Sequence, residues 1–531
     1  MVSLKNAFQK LSDSIEQQLP MFNAPGVAIG ITNREEILHA SLHGLANQEA
    51  GKRVTPETLF QIGSISKSFT SILLLQLQEQ GLLNINEPVK TYLPWFEIRS
   101  EYAPITLRHL MSHTAGIIMG SDETTSAYTE TWNLGHTKTT AAPGEYFHYS
   151  NSGYKVLGVV LESILEQNFG DILQERILSP LGMTKTTPVI RNADRARMAV
   201  GYNPFYDDRP LPAGGLLAPA TWLESDTADG SICSTAEDMC IYLRSLLQNG
   251  VGLLAPQSFE QMIASVVATD DGLHGEHYGL GLFTQVINGR RIIGHSGGMV
   301  GYTADMLADM DSGLGVIVLT NGPADPQKIS RYALDLLHAA LQGDDLPDFP
   351  PDGMKQDDAS LGHYSSGKKS FELRMEDGRL ALGFGSATVS LEKRSPDVFL
   401  VPHPDFDLFP LRLERENDEG TGVSYGGERF AREGYPQKAA SPYPREWEAY
   451  PGHYRSHNPW FSNFRVVLRD GLLVFIEPNG DEEELHHLEF GLFRIGAEVS
   501  SPESVRFDVI LDGKAMRAIL SGGTYSRTFT P

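Results

Sequence analysis

Only two cysteines, Cys233 and Cys240, occur in 531 residues, which excludes a disulfide framework. They bracket Cys233-Ser-Thr-Ala-Glu-Asp-Met-Cys240, which lacks metal-ligand spacing and reads as a helix start, so both are expected as small apolar residues. Basic side chains are scarce as well. Against 67 Asp and Glu stand 43 Lys and Arg, a net charge of -24, which argues against electrostatic binding of nucleic acid or an anionic membrane surface. No run reaches the ~18 consecutive apolar residues a membrane-spanning helix requires. The N-terminus lacks a basic stretch followed by an apolar one, so the chain reads as cytoplasmic. Low-complexity tracts are missing too, although Gly and Pro are plentiful.

What is present is enough apolar material, 41% of the residues, for two or three sizeable cores. Leu4, Phe8, Leu11, Ile15 and Leu19 recur at helical spacing and predict an amphipathic first helix. Residues 26–32 and 36–42 read as strands around Asn33-Arg34. From about residue 70 to 245 the pattern is helical and loop-like. Residues 106–116 read as a short helix closed by Gly116, and residues 154–165 and 235–247 as two more. Strand signals return at 279–287 and 290–295 around Asn288-Gly289, then at 303–310 and 314–320 around Asp311-Ser312-Gly313. A helix from Pro326 to Leu341 closes the unit. A helical insertion between two halves of an antiparallel sheet, with helices at both ends, is an α+β arrangement.

An acidic, Pro-rich stretch at 344–359 predicts a linker. Beyond it lies an internal repeat. Gly362-His-Tyr-Ser-Ser366 returns as Gly452-His-Tyr-Arg-Ser456, and residues 371–382, with Asp377-Gly378, return as 464–475, with Asp470-Gly471. Two strand-rich copies predict two small antiparallel β-barrels or one barrel made of two halves, and the first is favoured. The expected domains are therefore 1–343, 360–440 and 445–531, with the last two parted near Gln437 to Pro444.

One stretch carries chemistry. In Gln61-Ile-Gly-Ser-Ile-Ser-Lys-Ser68, Ser64 and Lys67 are three apart at a helix start and share a face. That end of a helix favours negative charge on the serine oxygen, and a crowded site can depress the lysine enough for it to accept a proton. Acyl transfer also needs a second proton-transfer group and an oxyanion site. Tyr149-Ser150-Asn151 offers a phenol, expected to be lowered by the neighbouring ammonium, and an amide able to bond Lys67 and a substrate. Gly294-His295-Ser296-Gly297-Gly298 follows a strand, and its glycines would let an extended acyl donor approach closely.

The trio Ser64-x-x-Lys67, Tyr149-x-Asn151 and His295-x-Gly297 resembles the three motifs of the serine β-lactamase and penicillin-binding superfamily, in the class C-like branch that includes D-aminopeptidases, amidases and carboxylesterases. Leu110 to Gly116, Pro143-Gly-Glu145 and Tyr278-Gly-Leu-Gly281 resemble connecting motifs of that branch. The resemblance covers roughly residues 5–342, and more weakly the two C-terminal barrels of the D-aminopeptidase subgroup. It implies a β-lactamase-like fold and a serine hydrolase. Ser64 would be acylated, Lys67 and Tyr149 would move protons, and the N–H groups of Ser64 and Gly298 would hold the oxyanion, without metal or cofactor. One departure stands out: where classical members have Lys-Thr-Gly, this chain has His295-Ser296-Gly297. It lacks the permanent cation that receives a substrate carboxylate. That points to D-amino-acid peptides or amides, with a carboxylesterase, a weak β-lactamase or a non-hydrolytic sensor as alternatives.

His109 and His113 have the spacing of a metal pair but no acidic third ligand, and read as structural. His274-Gly-Glu-His277 reads as a polar loop, Asp481 to Glu484 as a solvated turn, and Pro459-Trp-Phe461 as an anchor within its own barrel. Loops 119–140 and 206–219 are expected as pocket walls. The expected ligand is a small molecule or short peptide. For the barrels, capping the site, binding a partner and building a homo-oligomer remain open.

Overall fold

A computed structural model of the chain describes residues 3–269, 277–350 and 360–529. His274 to Glu276 and most of the expected linker lie outside the described residues. Two compact units are present. One comprises Met1–Asn203, Leu217–Phe349 and Val499–Pro502, and the other Pro204–Leu216, Pro350–Glu498 and Glu503–Pro531.

The first unit is built on a nine-stranded antiparallel sheet. Its spatial order is Lys52–Arg53, Ile37–Asn47, Gly26–Asn33, Leu314–Thr320, Tyr302–Asp309, Arg290–Met299, Phe283–Ile287, His277–Tyr278 and Val267–Ala268. The first and last long strands of the unit, Gly26–Asn33 and Leu314–Thr320, therefore pair as third and fourth of the nine, with the helical region inserted between them in the chain. Gly26–Asn33 and Leu314–Thr320 read as continuous apolar runs because both faces are covered. On one face Leu4–Gln18 lays down Ala7, Leu11 and Ile15, beside Ile329, Tyr332 and Leu336 of Pro326–Gln342. On the other lie the helices Ser66–Glu79 and Ala236–Leu247. A Cβ on Gly30 would stand 2.5 Å from the Cys240 sulfur and 2.8 Å from Ala236 O, so this glycine lets the Ala236–Leu247 helix lie close on the sheet. Both cysteines are free and buried.

Local signals explain the element ends. Thr235 caps its helix by accepting from Asp238 N–H, and Ser150 caps Asn151–Leu165 by accepting from Gly153 N–H, each worth about 1 kcal/mol. Asn288 (φ 51°) and Gly289 (φ 76°) form the hairpin turn their dipeptide predicts. Three expectations need correction. Ser64 lies in a 3₁₀ turn, Gly63–Ile65, ahead of the helix that holds Lys67. The strand expected to stop at His295 runs on to Met299, so the third motif lies inside it. The helix at 107 ends at Met111, and it is His113 (φ 56°), not glycine, that turns the chain just beyond.

The second unit carries both repeat copies. Residues 362–432 form a nine-stranded antiparallel sheet whose two edges, Ala387–Ser390 and Glu392–Ser395, are consecutive in the chain. Residues 452–528 form an eight-stranded barrel that closes by pairing Gly452–Arg455 with Gly523–Thr528. The repeat is exact at its core. Tyr364 and Tyr454 are fully buried, and each donates its hydroxyl to the carbonyl four residues back, Ser360 O (2.8 Å) and Tyr450 O (2.7 Å). Phe371 and Phe464 stack on them. Residues 204–216, expected in part as a pocket wall, group with this unit. There Asp208 pairs with Arg465 (3.0 Å) and Arg209 with Asp407 (2.9 Å). Phe461 packs into the barrel core, as expected of an anchor. Glu482, expected in a solvated turn, is instead held by Arg469 (2.6 Å) and Arg412 (3.3 Å).

Candidate active site

The Ser66–Glu79 helix is buried almost all round, so Lys67 enters the interior on a helix with no solvent face near it. Its Nζ has three neighbours, each an oxygen: Ser64 Oγ at 3.0 Å, Asn151 Oδ1 at 2.8 Å and the Asp229 carbonyl at 2.9 Å. Three acceptors match the three protons of an ammonium. Burial nevertheless pushes Lys67 down to about 8, against the opposing pull of the Asp229 carboxylate. Near neutral pH both forms are thus within reach. On deprotonation the 3.0 Å contact reverses, and the amine accepts the Ser64 hydroxyl proton. Ser64 itself is only half-buried and can meet a ligand.

Tyr149 reaches Ser64 from the other side through a hydrogen bond, with Lys67 Nζ 4.9 Å from its ring centre. Its phenol was expected to be lowered by the ammonium. It is raised instead, because the protein packed around the hydroxyl outweighs the pull of the Ser64 hydrogen bond. Tyr149 therefore holds its proton, and Lys67 is the group that can give one up.

The third motif meets these residues through its backbone. Gly297 pairs with Ala304 and Gly298 with Thr303 on one edge. On the other edge, Phe283–Ile287 pairs only as far as Gly294. The stretch beyond Gly294 abuts the Ser64 turn: a Cβ on Gly297 would stand 1.9 Å from Ile62 O and 3.2 Å from Ser64 N, and one on Gly63 would stand 2.7 Å from Gly298 N. Only glycine permits this approach. Gly298 is exposed, with nothing within 4 Å of its Cβ position. The amides of Ser64 and Gly298 thus lie at one place, beyond the end of the Phe283–Ile287 pairing. His295 is buried, and its ring is spoken for. Nδ1 lies 2.6 Å from Ser296 O and so carries the proton, and Nε2 accepts from the Tyr278 hydroxyl at 3.0 Å.

The sequence reading missed three supporting side chains. His113 Nδ1 accepts from Ser150 N–H (3.0 Å), its carbonyl accepts from His148 N–H (2.8 Å), and its ring lies 4.2 Å from that of Tyr149. One residue thus grips the peptide between Tyr149 and Asn151. Burial, with Lys67 nearby, holds its pKa well below the ordinary range, so the ring is neutral. Tyr154 donates to Met111 O (2.7 Å), and Tyr278 steadies His295. Tyr278 and His113 sat in motifs already noted, but neither motif discloses that its side chain faces inward. His109 serves the capping box of Leu107–Met111, its Nδ1 accepting from Thr106 N–H at 3.2 Å. Among the described residues no group of three or more His, Cys, Asp or Glu side chains could hold a metal ion, and no helix is long and apolar enough to cross a membrane.

Residues 11–340 match the beta-lactamase family model, well over half of the chain. The chain belongs to the beta-lactamase family. Among curated relatives it is similar to protein flp of Staphylococcus aureus, 24% identical over 326 residues, covering 59% of this chain and 63% of that protein. It thus spans a little under two thirds of the length of that relative. Among solved structures it is similar to an octameric penicillin-binding protein homologue from Pyrococcus abyssi, with 25% identity, a TM-score of 0.59, and coverage of 80% of this chain and all of the other. The D-amino acid amidase of Ochrobactrum anthropi SV3 shares the fold at 21% identity and a TM-score of 0.54, over 64% of this chain and 99% of its own. Ser64-x-x-Lys67, Tyr149-x-Asn151 and His295-x-Gly297 all fall within the matched residues 11–340.

Proposed function

We propose that this protein is a serine hydrolase that works through an acyl-enzyme on Ser64 and acts on small D-amino-acid amides or peptides. The observation that carries the reading is Lys67, buried, pushed down to about 8 and bonded to Ser64 at 3.0 Å. As the free amine, Lys67 takes the hydroxyl proton while Ser64 Oγ attacks the carbonyl. The Ser64 and Gly298 N–H groups hold the oxyanion. Tyr149, protonated, gives its proton to the leaving nitrogen and recovers one from the Lys67 ammonium. Water then releases the acyl group by the same route. Asn151 holds Lys67 in place and offers its amide N–H₂ to the substrate. The strand edge at Gly297 and Gly298, which Phe283–Ile287 does not reach, accommodates an extended donor.

One observation favours a D-amino-acid amide over a β-lactam: His295 is occupied with Tyr278 and Ser296, leaving no permanent cation in the third motif for a carboxylate. The test is intact mass after exposure to a fluorophosphonate, beside Ser64→Ala. One adduct, lost in the variant, is expected, and an unmodified parent protein would contradict the reading. Turnover of D-alanine p-nitroanilide in preference to p-nitrophenyl acetate is the expected substrate result. The reverse preference would favour the esterase alternative.

A further inference from the structure

A cavity of about 50 Å³ lies beside the site, bordered by the two chain segments that supply the oxyanion amides. Gln61, three residues before Ser64, lines it, and so does Met299, the residue after Gly298. Trp222 and Tyr302 form its aromatic walls, and exposed Arg195 also borders it. The Tyr302 hydroxyl is turned away to Ala199 O. Gln61 is only 5% exposed, and its backbone is paired with Cys233. Its side-chain amide has no hydrogen-bond partner among the described residues, and what surface it keeps faces the cavity. A buried amide in that condition is costly unless a ligand or water meets it.

The other polar groups there are donors. Trp222 Nε1 is buried and has no acceptor among the described residues. Arg195 lays its guanidinium 4.9 Å from the centre of the Trp222 ring. The carboxylates close by in the chain are engaged elsewhere. Asp194 pairs with Arg191 (3.2 Å) and Arg197 (3.6 Å), and Glu224 accepts from Asn192 N–H. Among the described residues no Asp or Glu lines the cavity. A group that fits must therefore bring acceptor oxygens, and negative charge on them suits Arg195. At roughly 10–15 Å³ for each water-sized group, the space holds about four heavy atoms, the size of a CH₂–COO⁻ substituent.

The placement says which half of a substrate reaches it. The ring of Tyr149, which protonates the leaving group, lies 6.2 Å from that of His295. The leaving group thus departs at the His295 end of the strand, and the acyl half extends toward Met299. We infer that the cavity receives a short acidic side chain on the acyl half of the substrate, with Arg195 meeting its charge and Gln61 fixing an oxygen, so that D-aspartyl amides and peptides are the preferred donors. This rests on the acyl-enzyme reading of Ser64 and adds a side-chain specificity to it. Arg195 stands beyond Met299, so it does not replace the missing third-motif cation at His295.

The test uses the full chain and three p-nitroanilides, D-aspartyl, D-asparaginyl and D-alanyl, compared by kcat/KM. The parent protein should favour D-aspartyl over D-alanyl by about 10-fold. D-Asparaginyl should fall between them, because its amide oxygen can meet Gln61 but brings no charge for Arg195. Arg195→Gln should bring the ratio of D-aspartyl to D-asparaginyl to about 1, and Gln61→Leu should lower both against D-alanyl. Arg195 is exposed, so its variant answers alone should Gln61→Leu fold poorly. Equal use of the three substrates by the parent protein, or a preference for D-alanyl, would overturn the proposal with the hydrolase reading intact. A loss in Arg195→Gln that is equal on all three would overturn it too, since Arg195 would then only support the fold. A parent protein left unlabelled by fluorophosphonate would overturn both. Should Ser64 label without turnover of any nitroanilide, D-aspartic acid α-amide should protect it at about 10-fold lower concentration than D-alanine amide, and equal protection would overturn the proposal.

Discussion

Each unit of the molecule buries tyrosines, and they do opposite things. In the C-terminal unit, Tyr364 and Tyr454 spend their hydroxyls on backbone carbonyls of their own strand entries, and Arg527 adds a donor to Tyr454 at 3.0 Å. Those bonds have one arrangement, and they serve folding. In the first unit, Tyr149 and Tyr278 bond to Ser64 and His295, side chains that are bonded in turn to Lys67 and to a strand backbone. Here burial does not merely satisfy polar groups. It moves a lysine to about 8 and leaves its proton free to be exchanged. A buried polar group is structural when its partners are backbone, and reactive when its partners titrate.

That contrast can be broken from either side. The largest effect is expected at Lys67. Lys67→Met keeps the stem but removes the base, and acylation of Ser64 should slow by about 10³-fold with the melting temperature maintained or raised. Stopped-flow labelling beside a thermal melt checks both halves. Next comes His113. His113→Phe keeps the ring but loses the bond to Ser150 N–H, so kcat should fall about 10- to 100-fold with KM little changed. His113→Asn supplies an acceptor and tolerates φ 56°, and should recover part of the loss. A purely packing role would give the opposite order.

The smallest effect should come from the barrel. Tyr454→Phe should cost about 1–2 kcal/mol of stability, read as a lower unfolding midpoint, because Arg527 loses an acceptor there as well. Tyr364→Phe, whose hydroxyl donates to Ser360 O in the matching position, should cost about 1 kcal/mol. Neither should alter the rate of Ser64 labelling at 25 °C. A change in that rate would blur the division between structural and reactive burial.

Much of this was legible in the chain. The Asp377-Gly378 and Asp470-Gly471 turns, both with positive φ, and the Gly-His-Tyr starts gave away the repeat, because hairpin chemistry is local. The three motifs named the residues that meet at the site, because glycine tolerance and the three-residue Ser–Lys spacing are local as well. What escaped was set by partners distant in sequence. Whether a repeat copy closes fully depends on Gly452–Arg455 finding Gly523–Thr528, whereas the first copy is a nearly closed barrel that stops one pairing short, between Ala387–Ser390 and Glu392–Ser395. The direction of the Tyr149 shift depends on what surrounds its hydroxyl, and the position of Asp229 depends on a segment some 160 residues from Lys67. Glu482 looked solvated until Arg412 and Arg469 were brought to it.

The central claim is that burial turns Lys67 into the base that activates Ser64, and the pH dependence of acylation tests it most directly. Burial lowers the lysine, so the amine form is scarce below about 8 and prevalent above it. The second-order rate of fluorophosphonate labelling, measured from pH 6 to 10, should rise through a single midpoint near 8 and level off above it, and Lys67→Met should remove that midpoint. A rate flat across the range, or one still climbing at pH 10, would contradict the account, since it would mean that Ser64 is activated without a lowered lysine.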